Sequence, residues 1–170
     1  MTRLTINSRT HEIESARGRR LSEVLRDELG LKSVKVGCDA GDCGACTVLV
    51  DGAQVCACLV PVAQADGCTV ETLETAEPRL AAKLQAAFLD HGAAQCGICT
   101  PGMMMAAMEL LRANPTPSRT EVEVALGGVL CRCTGYAKIV DAVAGVAART
   151  ARANGHAVGV PLRRLDGQAK

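Results

Sequence analysis

The sequence has almost no aromatic residues: one Phe, one Tyr and no Trp among 170 residues. A core of Ala, Val and Leu buries less area per residue than one with large rings, so bound metal or a partner is expected to add stability. The net charge is only +1, which predicts no nucleic-acid binding. No apolar signal segment and no run of 18 apolar residues occurs, so we expect no membrane segment and a cytoplasmic location.

Cysteine is the residue in excess, with ten in the chain. In a reducing compartment these thiols are expected to be metal ligands or reactive groups rather than disulfides. A cysteine-free segment containing Pro78 separates two sets and predicts a domain boundary between residues 76 and 77. The sets are Cys38, Cys43, Cys46, Cys56, Cys58 and Cys68, then Cys96, Cys99, Cys131 and Cys133.

The first half is predicted to form a small mixed sheet with one helix packed across it. Two β-rich runs around the turn Asn-Ser-Arg-Thr (7–10) predict a hairpin, and two more around Asp51-Gly52 predict a second. Between the hairpins, apolar residues at helical spacing predict a helix over 20–30 that ends at Gly30. This order of elements favours an α+β arrangement.

The second half is predicted to be helical and to form a compact bundle of four helices. The first helix begins near Pro78. Thr100 is predicted to cap the second helix, with Pro101 at its first position. Ser118 and Glu121 form a predicted capping box at the start of the third helix. The fourth helix is expected to end near residue 150.

Three cysteines of the first set have the spacing of a plant-type [2Fe–2S] site. Cys38, Cys43 and Cys46 follow the pattern C-x4-C-x2-C, whose fourth ligand comes from elsewhere in the chain. The intervening glycines can adopt positive φ and turn backbone N–H groups toward an anionic cluster. Zinc is the competing interpretation, although structural zinc sites usually show two C-x2–4-C pairs. On an extended strand Cys56 and Cys58 would face the same side, so spacing leaves either as the fourth ligand.

The four cysteines of the second set form two pairs next to predicted helix starts. Cys96 and Cys99 precede the second helix, and Cys131 and Cys133 precede a helix expected to start at 134–136. Unpaired N–H groups and the positive end of the helix dipole favour an anionic, thiolate-ligated cluster there. Four thiolates are equally compatible with zinc, and a C-x-x-C can be a redox pair, although no βαβ context surrounds this one. The favoured interpretation is a second iron–sulfur site.

Several segments together resemble one family. They are GCDAGDCGACTVLVDG, then Cys58, then QCGICTPGMMM and ALGGVLCRCTGY, and they are similar to the two-cluster iron–sulfur subunit of the xanthine oxidase family of molybdenum hydroxylases. The likeness covers residues 3–150 and keeps the order and spacing of both cysteine sets. It implies an α+β fold with a β-grasp, plant-ferredoxin-like domain over residues 1–76. A four-helix bundle domain is implied over 77–152, and each domain holds one [2Fe–2S] cluster.

The resemblance also implies the site residues. In the family, the number of residues between the third and fourth cysteine ligands is the number that separates Cys46 from Cys58 here. The resemblance therefore implies Cys58 as the fourth ligand and leaves Cys56 and Cys68 as packed thiols that bind no metal. Two positions, Gln95 and Cys133, match residues that approach the pterin of the molybdenum cofactor. The implied cluster ligands are Cys38, Cys43, Cys46 and Cys58 in the first domain, and Cys96, Cys99, Cys131 and Cys133 in the second.

The function implied by the resemblance is electron transfer within a larger oxidoreductase. A molybdenum-binding large subunit would carry the substrate pocket, and an FAD-binding medium subunit or another acceptor would take the electrons, so we expect a hetero-oligomer and no catalysis by this chain alone. The tail over 153–170 resembles the start of that large subunit, and we interpret it as a former or processed junction. A free-standing ferredoxin and a structural zinc protein are the alternatives.

Overall fold

The fold is built on one five-stranded sheet followed by helices. The computed structural model describes residues 1–14, 18–74 and 76–153, so the predicted tail lies outside the described residues beyond Ala153. The strands lie in the order β2-β1-β5-β3-β4, and only the β1–β5 pairing is parallel. Their bounds are Thr2–Ile6 (β1), Arg9–Ile13 (β2), Thr47–Val50 (β3), Ala53–Cys56 (β4) and Thr69–Glu71 (β5).

Both predicted hairpins are present, and both close with a two-residue turn. Asp51 (φ 49°) and Gly52 (φ 87°) join β3 to β4 in the left-handed conformation that matches the twist of paired strands. Asn7 (φ 50°) and Ser8 (φ 65°) do the same between β1 and β2. The predicted four-residue turn was therefore too long, because residues 9–10 already pair with β1.

The predicted helix across the sheet is present but its second half is widened. Helix α1 spans Leu21–Glu23 and continues as a π-helical segment over Val24–Glu28. The wider winding lets the Leu29 N–H donate to the Val24 carbonyl at 3.0 Å. Two short 3₁₀ turns follow β4, at Ala57–Leu59 and Val62–Ala65.

Four α-helices follow the sheet: Pro78–Asp90 (α2), Thr100–Ala113 (α3), Arg119–Leu126 (α4) and Ala137–Ala153 (α5). The capping box of α4 is confirmed, since the Glu121 N–H donates to Ser118 Oγ at 3.2 Å and the Ser118 N–H to Glu121 Oε2 at 2.7 Å. The predicted Thr100 cap is wrong. Thr100 is already helical and its hydroxyl, buried, has no partner. Because the Met103 N–H bonds the Cys99 carbonyl at 2.9 Å, the turn starts one residue earlier.

The sheet is covered on both faces, because neighbouring side chains of β3 point to opposite sides. Val48 belongs to a core shared with α1, which includes Leu4, Leu21 and Leu25. Leu49 belongs instead to the core of α2–α5, where four methionines and a phenylalanine supply bulk in place of the missing aromatic rings. That core includes Phe88, Met103, Met104, Met105 and Met108. The predicted α+β class is confirmed, and no helix in the described residues could cross a membrane.

Helix α3 packs directly on the loop that precedes β3, and glycine makes this approach feasible. A Cβ atom at Gly102 in α3 would lie 2.7 Å from the Gly44 carbonyl oxygen. A Cβ at Gly44 would collide with the Gly128 carbonyl on the far side. Farther along α3, Arg112 holds Glu71 of β5 with two hydrogen bonds of 2.7 and 2.6 Å. Backbone contact and ion pair together fix the helices against the sheet.

Two helical glycines give a matched test of this contact. We expect Gly102→Ala to destabilise the chain by about 1–3 kcal/mol, because the new methyl group meets backbone that cannot rotate away. Gly145→Ala in α5 should stabilise it by about 0.5–1 kcal/mol, because its Cβ meets only ordinary contacts at 3.6 Å or more. Thermal unfolding midpoints measure both, and a Gly102→Ala midpoint at or above wild type would contradict this packing.

Candidate metal centres

The first candidate ligand loop, residues 37–46, connects the π-helical region to β3 and is tightly folded. Three residues adopt positive φ: Asp39 (56°), Gly41 (83°) and Gly44 (65°). Asp39 is a non-glycine residue in the left-handed region, and the guanidinium of Arg20 pairs with its carboxylate. The loop is therefore held both by its own turns and by an ion pair to the start of α1.

These turns aim backbone N–H groups at cysteine sulfur, as the glycine pattern predicts. The N–H groups of Ala40 and Cys43 donate to Cys38 Sγ at 3.4 and 3.3 Å. The Ala45 N–H donates to Cys43 Sγ at 3.5 Å. The hydrogen bonds from Ala40 and Cys43 lower the pKa of the exposed Cys38 thiol to about 7. Gly37 contributes space rather than positive φ, since a Cβ there would lie 2.9 Å from Cys43 Sγ.

Cys46 and Cys58 form a buried pair behind this loop. The Cys58 N–H donates to Cys46 Sγ at 3.5 Å, and burial raises the pKa of Cys46 to about 12. Cys56 and Cys58 do not share an extended strand as expected, because β4 ends at Cys56 and the 3₁₀ turn carries Cys58 inward. Cys56 is half-buried, and its thiol donates to the Gly41 carbonyl at 3.8 Å.

The second set also gathers as two pairs. The Cys133 thiol donates to Cys96 Sγ at 3.6 Å on the surface. Cys99 and Cys131 are both buried, and burial, with the Cys131 thiol nearby, raises the pKa of Cys99 to about 12. Cys99 occupies the N-cap position of α3 without a side-chain capping hydrogen bond, so this cysteine lies at a helix start, as predicted. The helix after Cys133 begins at Ala137, later than predicted.

Two residues that the sequence analysis did not single out close a turn around Cys131. The Thr134 hydroxyl donates to Cys131 Sγ at 3.1 Å. The Cys131 N–H donates to the Tyr136 hydroxyl at 2.9 Å, and the Tyr136 N–H donates to Thr134 Oγ1 at 3.2 Å. The available signal was a hydroxyl residue three positions after a cysteine, which is too common to identify a site.

An exposed corner surrounds the surface pair of the second set. Gln95, Cys96 and Cys133 are all exposed, and the Gln95 side-chain amide donates to the Cys133 carbonyl at 3.3 Å. Ile98, an apolar side chain 49% exposed, lies two residues after Cys96. The structure therefore brings together the two residues, Gln95 and Cys133, that the resemblance singles out for pterin contact.

The pairing of thiols fits a two-iron cluster. In a cluster ligated by four cysteines each iron takes two thiolates. Backbone N–H groups link Cys43 to Cys38 Sγ and Cys58 to Cys46 Sγ in the first set. In the second set the Cys133 thiol contacts Cys96, and Cys99 and Cys131 are both buried. Across the described ranges, no three or more His, Cys, Asp and Glu side chains converge tightly enough to hold one ion. Backbone N–H groups aimed at Cys38, Cys43 and Cys46 suit an anionic iron–sulfur group, whose ligands are hydrogen-bonded in this way.

The two ligand sets are joined by the backbone. The Leu130 N–H, one residue before Cys131, donates to the Cys43 carbonyl at 2.8 Å. Beside this hydrogen bond, Gly44 lies against Gly128 and Val129. Cys43, a candidate ligand of the first set, is thus hydrogen-bonded directly to the backbone next to Cys131, a candidate ligand of the second set.

Comparison with known proteins agrees with two such sites. A family model described as a 2Fe-2S iron-sulfur cluster binding domain matches residues 4–77, and one described as a [2Fe-2S] binding domain matches residues 69–144. The nicotinate dehydrogenase small FeS subunit of Eubacterium barkeri is 48% identical over 141 residues, which cover 82% of this chain and 90% of that protein. This chain belongs to the xanthine oxidase family, as a small iron–sulfur subunit. Its function is electron transfer through [2Fe–2S] clusters in a molybdenum hydroxylase.

Other small subunits of the family support the same assignment. The xanthine dehydrogenase iron-sulfur-binding subunit of Escherichia coli O157:H7 is 46% identical over 143 residues, 82% of this chain and 89% of that protein. Among solved structures, quinoline 2-oxidoreductase from Pseudomonas putida 86 superposes with a TM-score of 0.79 at 40% identity, covering 92% of this chain and 97% of that chain. The predicted family, ferredoxin-like domain and two [2Fe–2S]-binding domains are confirmed.

Thiol reactivity of the cluster-free chain tests the pKa difference between Cys38 and Cys46. Because hydrogen bonds hold the pKa of Cys38 at about 7, its reactive thiolate forms as the pH rises through 7, before that of an ordinary cysteine. Cys46, with a pKa of about 12, should stay unmodified in the same sample. Iodoacetamide labelling from pH 6 to 9, followed by peptide mass spectrometry, measures both. Equal labelling of Cys38 and Cys46 at pH 7 would contradict this pKa difference.

Proposed function

We propose that eight cysteines ligate two [2Fe–2S] clusters, which supply the chain with two one-electron carriers. The observation that carries the proposal is the gathering of eight cysteines into two sets, joined by the hydrogen bond from Leu130 to Cys43. Within the sets, N–H groups of Cys43 and Cys58 donate to Cys38 and Cys46 sulfur, and the Cys133 thiol donates to Cys96. The proposed ligands are Cys38, Cys43, Cys46 and Cys58 for the first cluster, and Cys96, Cys99, Cys131 and Cys133 for the second.

Cys58 is the proposed fourth ligand of the first cluster. It is buried beside Cys46 and contributes its own N–H to that sulfur. Cys56 is close to Cys46 as well, but its S–H is directed at the Gly41 carbonyl. In this assignment Cys56 and Cys68 are packed thiols without a metal.

The proposal divides the chain into a β-grasp domain over residues 1–76 and a four-helix bundle domain over 77–152. Two separate apolar cores support this division, one around the sheet and α1 and one around α2–α5. Leu49 of β3 lies in the second core, so the two domains would share a packed interface rather than a linker.

The proposed partner is a larger subunit that binds the molybdenum cofactor, with its pterin approached by Gln95 and Cys133. Support comes from the exposed corner, where the Gln95 amide bonds the Cys133 carbonyl and Ile98 offers apolar surface. One relative is named as the small FeS subunit of a nicotinate dehydrogenase and another as the iron-sulfur-binding subunit of a xanthine dehydrogenase. An FAD-binding subunit or another acceptor would receive electrons, and a cytoplasmic location suits ten free thiols.

A matched pair of variants tests the ligand assignment. Cys58→Ser should lower the content of the anaerobically purified chain from about four irons and four sulfides to about two of each, because one cluster loses a ligand. Cys56→Ser, two residues away, should keep all four. Iron and acid-labile sulfide analysis measures this. The reverse pattern, with loss in Cys56→Ser only, would assign the ligand to Cys56.

Purification of the native complex tests the partner. We expect a brown complex in which this chain co-purifies with a larger, molybdenum-containing subunit. A free-standing ferredoxin would instead purify alone with its clusters. A colourless chain with about two zincs and no sulfide would overturn the electron-transfer function.

A further inference from the structure

The geometry points to Thr134 as the residue that sets the reduction potential of the second cluster, through one hydrogen bond from its hydroxyl to the Cys131 sulfur. The inference rests on the proposed role of Cys131 as a cluster ligand. It goes beyond ligand assignment, because Thr134 would bind no iron and would act on the redox equilibrium of the centre.

The direction of the Thr134 hydrogen bond follows from how its hydroxyl is used. A hydroxyl has one hydrogen to donate and two lone pairs that accept. The Tyr136 N–H already donates to Thr134 Oγ1 at 3.2 Å, so that bond uses a lone pair. The single hydrogen remains for Cys131 Sγ, 3.1 Å from the oxygen. Thr134 is thus a donor to the sulfur.

Tyr136 holds this donor in place. Its backbone has φ of 67°, a left-handed conformation that is costly for an aromatic residue. The conformation brings the tyrosine hydroxyl back to accept the Cys131 N–H at 2.9 Å. Cys131, Thr134 and Tyr136 therefore close a ring of three hydrogen bonds, which fixes the Thr134 hydroxyl relative to the sulfur.

Thr134 distinguishes Cys131 from the other candidate ligands. In the part of the chain that the structure describes, no other candidate ligand thiol accepts a hydrogen bond from a side-chain hydroxyl. The neighbouring thiol, Cys99, is buried as well but lacks such a donor. The Thr134 hydroxyl therefore favours negative charge on the Cys131 sulfur in particular.

A donor at this sulfur favours reduction. The reduced cluster carries one more negative charge than the oxidised cluster, so a hydrogen bond to its thiolate is stronger in the reduced state. Removing the donor should therefore lower the reduction potential. We expect about a tenfold change in the equilibrium constant for reduction, which is 59 mV for a one-electron couple.

Two variants separate the hydroxyl from the shape of the side chain. Thr134→Val keeps the branched shape and removes the donor, whereas Thr134→Ser keeps the donor. Anaerobic redox titration of the full-length chain, followed by electron paramagnetic resonance, resolves the two clusters. Thr134→Val should lower the potential of one cluster by about 59 mV and leave the other unchanged, while Thr134→Ser stays near wild type. An unchanged potential in Thr134→Val, or an equal shift in Thr134→Ser, would overturn the inference.

Metal analysis keeps this test independent of the proposed function. A wild-type chain that does not contain two clusters would overturn the proposed function. A Thr134→Val variant that retains both clusters with an unchanged potential would overturn only the inference about Thr134. Thr134→Ala provides a second donor-free variant that introduces no bulk. Loss of the second cluster from both Thr134→Val and Thr134→Ala, with retention in Thr134→Ser, would also overturn the inference, because the hydroxyl would then be needed for assembly.

Discussion

The hydrogen bond from the Leu130 N–H to the Cys43 carbonyl is the contact that the two-site arrangement depends on. It joins a loop of the sheet half to a loop of the helical half, each rich in cysteine. The bond forms only because Gly44 and Gly102 let backbone meet backbone without side chains between them. A methyl group at either glycine would clash with this backbone and strain the contact between the halves.

Each site combines thiols at the surface with thiols in the core. This change in exposure across each site suits the transfer of electrons through it. Cys38, Cys96 and Cys133 lie at the surface, whereas Cys46 and Cys99 are buried, with pKa values raised to about 12. Buried thiols become stable anions only when a cation or cluster replaces the lost hydration. Assembly of the metal centres would therefore stabilise a chain whose core has few large rings. The clusters would thus stabilise the folded polypeptide, and the folded polypeptide would hold the clusters.

Local chemistry explains what the sequence predicted well. The Asp51-Gly52 turn and the Ser118–Glu121 capping box depend on neighbouring residues alone, and both are present. The cysteine spacing likewise predicted two [2Fe–2S] sites, and two matching [2Fe-2S]-binding domain models agree with that number. The Leu130 hydrogen bond was missed because it depends on a contact distant in sequence. The π-helical winding after Glu23 was missed as well, since the apolar spacing fits an ordinary helix. Thr100 failed for a local reason, because the first helical turn begins one residue earlier, at Cys99, and leaves Thr100 inside the helix.

Low-temperature electron paramagnetic resonance of the dithionite-reduced chain tests the central claim most directly. Two [2Fe–2S] centres in touching loops predict two distinct S = ½ signals, each integrating to about one spin per chain, with broadening from their mutual interaction. A sample with no such signal, or with one signal that accounts for all the iron, would contradict the account of two joined redox sites.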